Sequence, residues 1–128
     1  MRLRCPRLTA EFLQWFGLGG AALTWTAQLV VGYGVTVANC SAAGPGFGID
    51  LHTWEAALMG AALALVLLSE AAAITVFRQM RHVAHDGPPP EGRRHFFAVA
   101  AMVGNLLFLG VVLLSGIGAL SHDPCRQA

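Results

Sequence analysis

Polar positions along this chain are gathered rather than spread. They fall in four short stretches: Met1 to Glu11, Cys40 to His52, Arg78 to His95, and Ser121 to Ala128. Between them lie three apolar segments, Phe12 to Val37, Trp54 to Phe77 and Phe96 to Leu120. At about 24 to 26 residues each, these reach roughly 36 to 39 Å as α-helices. A bilayer core of ~30 Å needs about 20 residues, so each segment is long enough for one crossing and too short for two. Strict alternation is missing, and runs such as Ala56-Ala57-Leu58-Met59-Gly60-Ala61-Ala62 favour helix over strand. The expectation is an all-α integral membrane protein, a single three-helix domain over residues 1–128.

Arginine sets the expected orientation. Arg2, Arg4 and Arg7 precede the first span, and Arg78, Arg81, Arg93 and Arg94 lie between the second and third. The other connection has none, and the C-terminal tail has Arg126. By the positive-inside rule the N-terminus is cytoplasmic and the C-terminus extracytoplasmic, as three crossings require. Trp15, Phe16, Phe77, Phe96 and Phe97 belong to the inner interface on this reading, and Tyr33, Phe47 and Trp54 to the outer one. Segment one is too long for a signal-peptide core. Composition agrees: 55% of residues are hydrophobic, 12% charged, and the net charge is +1. A soluble domain is about a quarter charged, and nothing here draws the chain to nucleic acid. The expected setting is the lipid bilayer of a bacterial inner membrane, crossed several times.

The connections are broken by glycine and proline. Ala43-Gly44-Pro45-Gly46-Phe47-Gly48 reads as an irregular outer loop, after which Asp50 or Thr53 caps span two with Glu55 in its first turn. Asp86-Gly87-Pro88-Pro89-Pro90 interrupts the inner connection, with Arg78 to His85 carrying helix two onward as a basic stub. The four arginines there serve topology and attraction to anionic lipid. His82, His85 and His95 are assigned to a solvated loop.

Two cysteines, Cys40 and Cys125, lie on the same expected side, each a few residues past the end of a span. A disulfide between them would join helices one and three in an oxidising compartment. Cys5 is a bystander. The competing reading is an outer metal site made by Cys40, Cys125, His52 and His122, with Asp50 and Asp123 nearby, although no CxxC or HxxxH spacing supports it.

Polar residues inside the spans are the remaining candidates. Glu70 and Asn105 share a depth on antiparallel helices, and the matching level of helix one is Gly19-Gly20. A Glu70–Asn105 hydrogen bond over small residues is expected, with Ser69 or Thr24 supplementary. Trp25, Gln28 and Gly32 share a face that should turn toward another helix. Ala56, Gly60 and Ala64 offer span two a packing seam. No haem-ligating histidine lies in a span, and no HExxH, phosphate loop, Ser–His–Asp set or paired catalytic carboxylates is present, so no enzyme activity and no cofactor are expected.

Trp25, Gln28, Tyr33 and Cys40, then Arg94, Phe96, Gly104, Phe108 and Pro124-Cys125, carry a resemblance over most of the chain. The chain resembles a group of small three-span bacterial membrane proteins whose genes are often found beside those for haem-copper cytochrome oxidases. Members often have His where this chain has Gln28, which weakens a metal or haem role there. The resemblance implies a non-catalytic accessory or assembly subunit of a larger membrane complex, plausibly a respiratory oxidase. A small oligomeric transporter or proton-conducting unit using Glu70 is the alternative, and an outer-face metal-handling protein a third. Self-association is open in each case.

Overall fold

A computed structural model describes residues 7–43, 46, 48–84 and 86–126, and the chain is all-helical over them. Helix α1 runs Arg7–Cys40, α2 Leu51–Met80 and α3 Glu91–Ser121, followed by one 3-10 turn at Pro124–Arg126. All three long helices are long and apolar enough to cross a membrane. Their 34, 30 and 31 residues correspond to about 45 to 51 Å of helix. They therefore outrun the apolar segments at both ends, and their tips reach head-group depth or beyond. Polar tip residues stay helical because extending a helix adds one backbone bond per residue once it is nucleated.

The ends match the helix dipole in part. Glu91 is in the first turn of α3 and Arg78 in the last turn of α2, each the favoured sign. The stub of α2 stops at Met80, and Arg81 to Ala84 turn instead of continuing it. Asp50 is the N-cap residue of α2, and its carboxylate accepts from the Thr53 hydroxyl. That hydroxyl bond holds the Asp50 carboxyl below its ordinary range. Gly48, in the α1–α2 connection, has φ 65°, a left-handed conformation that suits glycine.

Three helices pack against one another in turn around Ala21, Ala62, Val66 and Val112, with Trp25, Leu63, Phe108 and Leu109 packed on this core. Trp25 and Phe108 meet with ring centroids 5.9 Å apart. The inward face of α2 is Leu51, Ala62, Val66, Ser69, Ala72, Ala73 and Val76. Outward-facing positions are apolar: Leu23 and Leu114 are each 73% exposed. A chain that hides small residues and displays large apolar ones suits a lipid surround.

The expected seam on α2 does not pack against this chain's own helices. Ala56, Gly60 and Ala64 are exposed, and a Cβ placed on Gly60 would meet nothing within 4 Å. They lie nearly opposite the buried face, since four-residue spacing fixes which positions share a stripe but not which way the stripe turns.

At one end, Cys40 and Cys125 come to disulfide distance, with sulfurs 2.03 Å apart and Cα atoms 5.3 Å apart, 85 residues apart in sequence. The 3-10 turn packs on α1 beside them. Closing so long a loop stabilises by on the order of 4 kcal/mol in a chain-entropy account. Replacing Cys40 by Ser, or reducing the wild type, is expected to lower the thermal midpoint by the same amount in each case. Intact mass should show the gain of two hydrogens that accompanies reduction, and Cys5→Ser should leave the midpoint unchanged.

Candidate functional site

Three places hold the polar chemistry, and each is set by how closely two helices approach. The first is a junction of all three helices around Gly17. A Cβ at Gly17 would lie 3.0 Å from the backbone nitrogen of Ala73, so glycine is what lets α1 rest on α2 here. The Gly17 carbonyl accepts from Asn105 Nδ2 at 3.0 Å. The Ser69 hydroxyl donates to the Phe16 carbonyl at 2.8 Å and also lies 3.3 Å from the Gly17 carbonyl and 3.5 Å from Asn105 Oδ1. Ser69 and Asn105 are both buried, 0% and 2% exposed.

This corrects the expected Glu70–Asn105 pair. Asn105 is spoken for by Gly17 and Ser69, and Glu70 Oε2 is buried with no hydrogen-bond partner. Neighbouring residues on a helix point about 100° apart, so with Ser69 facing the junction Glu70 cannot. The glycines that matter are Gly17 and Gly20, the latter against Ser69 Oγ and the Phe16 ring, whereas nothing approaches Gly19. Thr24 is not part of the junction; it lines a smaller cavity of about 140 Å³ between α1 and α2.

The second place is a cavity of about 380 Å³ toward the disulfide end. Its walls are α1, through Gln28, Leu29, Gly32, Tyr33, Thr36 and Val37, and α3, through Ser115, Gly118 and Ala119, with His122 just past its end; Glu55 of α2 completes it. Gln28 is buried, with Oε1 unpartnered. Glu55 is one residue past the first turn of α2, and its carboxylate leans across to α1 rather than serving that helix end. Both of its oxygens would lie 3.2 Å from a Cβ on Gly32, and Oε1 accepts from the Thr36 hydroxyl at 3.3 Å. His122 Nδ1 lies 2.9 Å from the Gly118 carbonyl, which only accepts, so Nδ1 carries a proton.

The expected face of Trp25, Gln28 and Gly32 does turn inward, Trp25 half-buried and the other two buried. Glu55 was expected only as a helix-end charge, and Thr36 was missed. The available signal was the four-residue spacing of Gln28, Gly32 and Thr36, a polar and small row on one face of α1. Of the proposed metal ligands, Cys40 and Cys125 are paired with each other, His52 is exposed, and His122 faces the cavity. Among the described residues no group of three or more His, Cys, Asp or Glu converges.

The third place is the arginine-rich end. His95, expected in a solvated loop, is 6% exposed. Its Nδ1 lies 2.6 Å from the Val83 carbonyl, and its ring packs on Phe77 at 5.5 Å between centroids. The helix start lies four residues before it, which puts His95 inside α3 rather than in the connection. Arg94 and Glu11 approach to 3.9 Å, and the latter is half exposed. His85, Phe47 and the first six residues, with Cys5 and their two arginines, lie outside the described residues.

Comparison with protein-family models, curated proteins and solved structures finds no match to this chain.

The junction makes a discriminating prediction. Asn105→Ala should cost about 1 to 2 kcal/mol in a denaturant titration in mixed micelles, the upper range for a side-chain hydrogen bond between membrane helices. Glu70→Gln should cost under about 0.5 kcal/mol, as for a side chain outside any such contact. Equal losses would instead mean that the two residues act as a pair.

Proposed function

We propose that this chain is a non-catalytic integral membrane subunit that binds laterally to a larger membrane complex in a bacterial inner membrane. Arginine placement supports an inward N-terminus and outward C-terminus. The observation that carries the reading is the exposed row of Ala56, Gly60 and Ala64 on α2. Lipid tails are as apolar as leucine, so membrane helices associate through close packing at small residues. A small-residue row at four-residue spacing, left outside its own bundle, is the surface onto which a helix of another chain fits. The likeness to proteins encoded beside haem-copper oxidases supports a terminal oxidase as that complex and an accessory or assembly role in it.

Affinity purification from native membranes in mild detergent tests this. The wild type is expected to carry the complex with it. Gly60→Leu should reduce the recovered complex about tenfold, equivalent to ~1.4 kcal/mol, while the Cys40–Cys125 pairing and helix content persist. Unchanged recovery would overturn the reading.

A second reading is favoured by Glu70, whose Oε2 is buried without a partner. Intramembrane carboxyls mark ion and proton paths, so an oligomer conducting protons through Glu70 is the alternative. That reading expects proton flux in liposomes, abolished by Glu70→Gln; flux that survives the substitution counts against it.

A further inference from the structure

The cavity at the disulfide end is not used by the lateral-docking reading, because its walls are α1 and α3 while the small-residue row is on the far side of α2. Its polar groups are unusual in sign. Glu55 supplies a carboxylate, Gln28 an amide whose buried oxygen is unpartnered, and His122 an imidazole. The Thr36 and Ser115 hydroxyls spend their protons on Glu55 and on the Val112 carbonyl, at 3.3 and 3.1 Å. Among the described residues no basic nitrogen forms an ion pair with Glu55. The Gln28 amide nitrogen and the Tyr33 hydroxyl add donors, but the lining holds the Glu55 carboxylate and no arginine.

Geometry narrows what satisfies it. Gln28 lies one helical turn from Gly32, the residue under the Glu55 carboxylate. Four residues rise about 6 Å, more than the roughly 4.6 Å that separates two acceptors of one tetrahedral ammonium at about 2.8 Å each, so the carboxylate is the anchor and Gln28 lies beside it. A donor with several N–H groups and a positive charge suits the two carboxylate oxygens of Glu55, with the Gln28 amide beside them. A metal ion is a poor fit, since no three His, Cys, Asp or Glu converge among the described residues.

The walls say how such a donor arrives. Gln28, Gly32 and Thr36 form the polar row of α1, and Leu29, Tyr33 and Val37 form a parallel apolar row beside it. The apolar row is exposed, Tyr33 at 69% and Leu29 at 42%, so the cavity meets the surround of the bundle along this edge. Glu55 sits four residues into α2, about 6 Å below its tip, where head groups give way to acyl chains. We infer that the cavity is a lateral binding site for the primary ammonium of an aminophospholipid, with the head group between Glu55 and Gln28 and an acyl chain along Leu29, Tyr33 and Val37. A space of about 380 Å³ suits a head group and its first carbons rather than a whole lipid.

The full-length protein is placed in nanodiscs of phosphatidylethanolamine and phosphatidylglycerol, then transferred to detergent and read by native mass spectrometry. One retained phosphatidylethanolamine is expected. Replacing it by its N,N-dimethyl and N,N,N-trimethyl derivatives removes donors at near-constant charge and should lower retention, about tenfold for the trimethyl form, the value of one charge-assisted hydrogen bond. Glu55→Gln should lower phosphatidylethanolamine retention by a similar factor, and Gln28→Leu less. The methylation series is read on the wild type, so it stands even where a variant fails to fold. Equal retention of the trimethyl lipid would overturn the proposal, because a greasy groove alone would then explain it. Displacement of the lipid by millimolar free ethanolamine would overturn the lipid source and leave a soluble amine as the ligand.

Discussion

Close approach of α1 and α2 at Gly17 is the constraint that the rest of the structure inherits. With no side chain on Gly17, the backbone of Ala73 can lie against α1, and the Gly17 carbonyl is left open for Asn105 of α3. In water a bundle of this size would be held by burial of apolar area. In lipid that force is nearly absent between helices, and what remains is contact distance and hydrogen bonding. The junction supplies both at one level. Ser69, with no exposed surface, ties α2 to the carbonyls of α1 and reaches Asn105 at the limit of a hydrogen bond. Adding a methyl at Gly17 would press on backbone, which cannot rotate away as a side chain can.

From the junction the helices run to a second point of attachment at Cys40 and Cys125. About 23 residues of α1, roughly 35 Å, separate the two. Between them the core of Ala21, Ala62, Val66 and Val112 keeps contact, with Trp25 against Phe108 on one side of it. Beyond that core, small residues on both walls, Gly32 on α1 and Gly118 with Ala119 on α3, leave room that no large side chain fills. The cavity is thus a product of two fixed ends and undersized residues near one of them. Elsewhere the same device closes space instead of opening it: the thioether of Met59 fills the notch at Gly116.

Hydropathy made the three helices legible because lipid imposes a length on any helix that crosses it, and the arginine-free connection made the pairing of Cys40 with Cys125 legible because both fell at one end. Rotation about each helix axis was not legible. On α2 the choice lay between a face through Ala56, Gly60 and Ala64 and one through Ala62, Val66, Ser69 and Ala73. Both rows carry small residues, so periodicity alone does not separate them. Taking Glu70 as the polar contact favoured the wrong side; Ser69, one residue earlier, is smaller and fits where backbones nearly touch. His95 was misplaced for a different reason. Its charge-prone neighbours Arg93 and Arg94 suggested a loop, yet α3 begins at Glu91 and turns the ring inward against Phe77.

Polar groups within this bundle divide by how completely they are satisfied. At the junction every polar atom of Ser69 and Asn105 has a partner on another helix or near one, which is how a buried polar contact holds a fold in place. Gln28 and Glu70 each keep a buried oxygen unpartnered. Natural structures hold few such atoms, and each costs a desolvation penalty that selection would remove if it served nothing. The cost is tolerated in two different settings. Gln28 opens onto a cavity with a carboxylate one turn away, a concave place able to enclose a small donor. Glu70 stands on the flank of α2 and lines neither of the two cavities. The same bundle thus places its two unpartnered oxygens in different surroundings, one on a residue that lines a cavity and one on an outer flank.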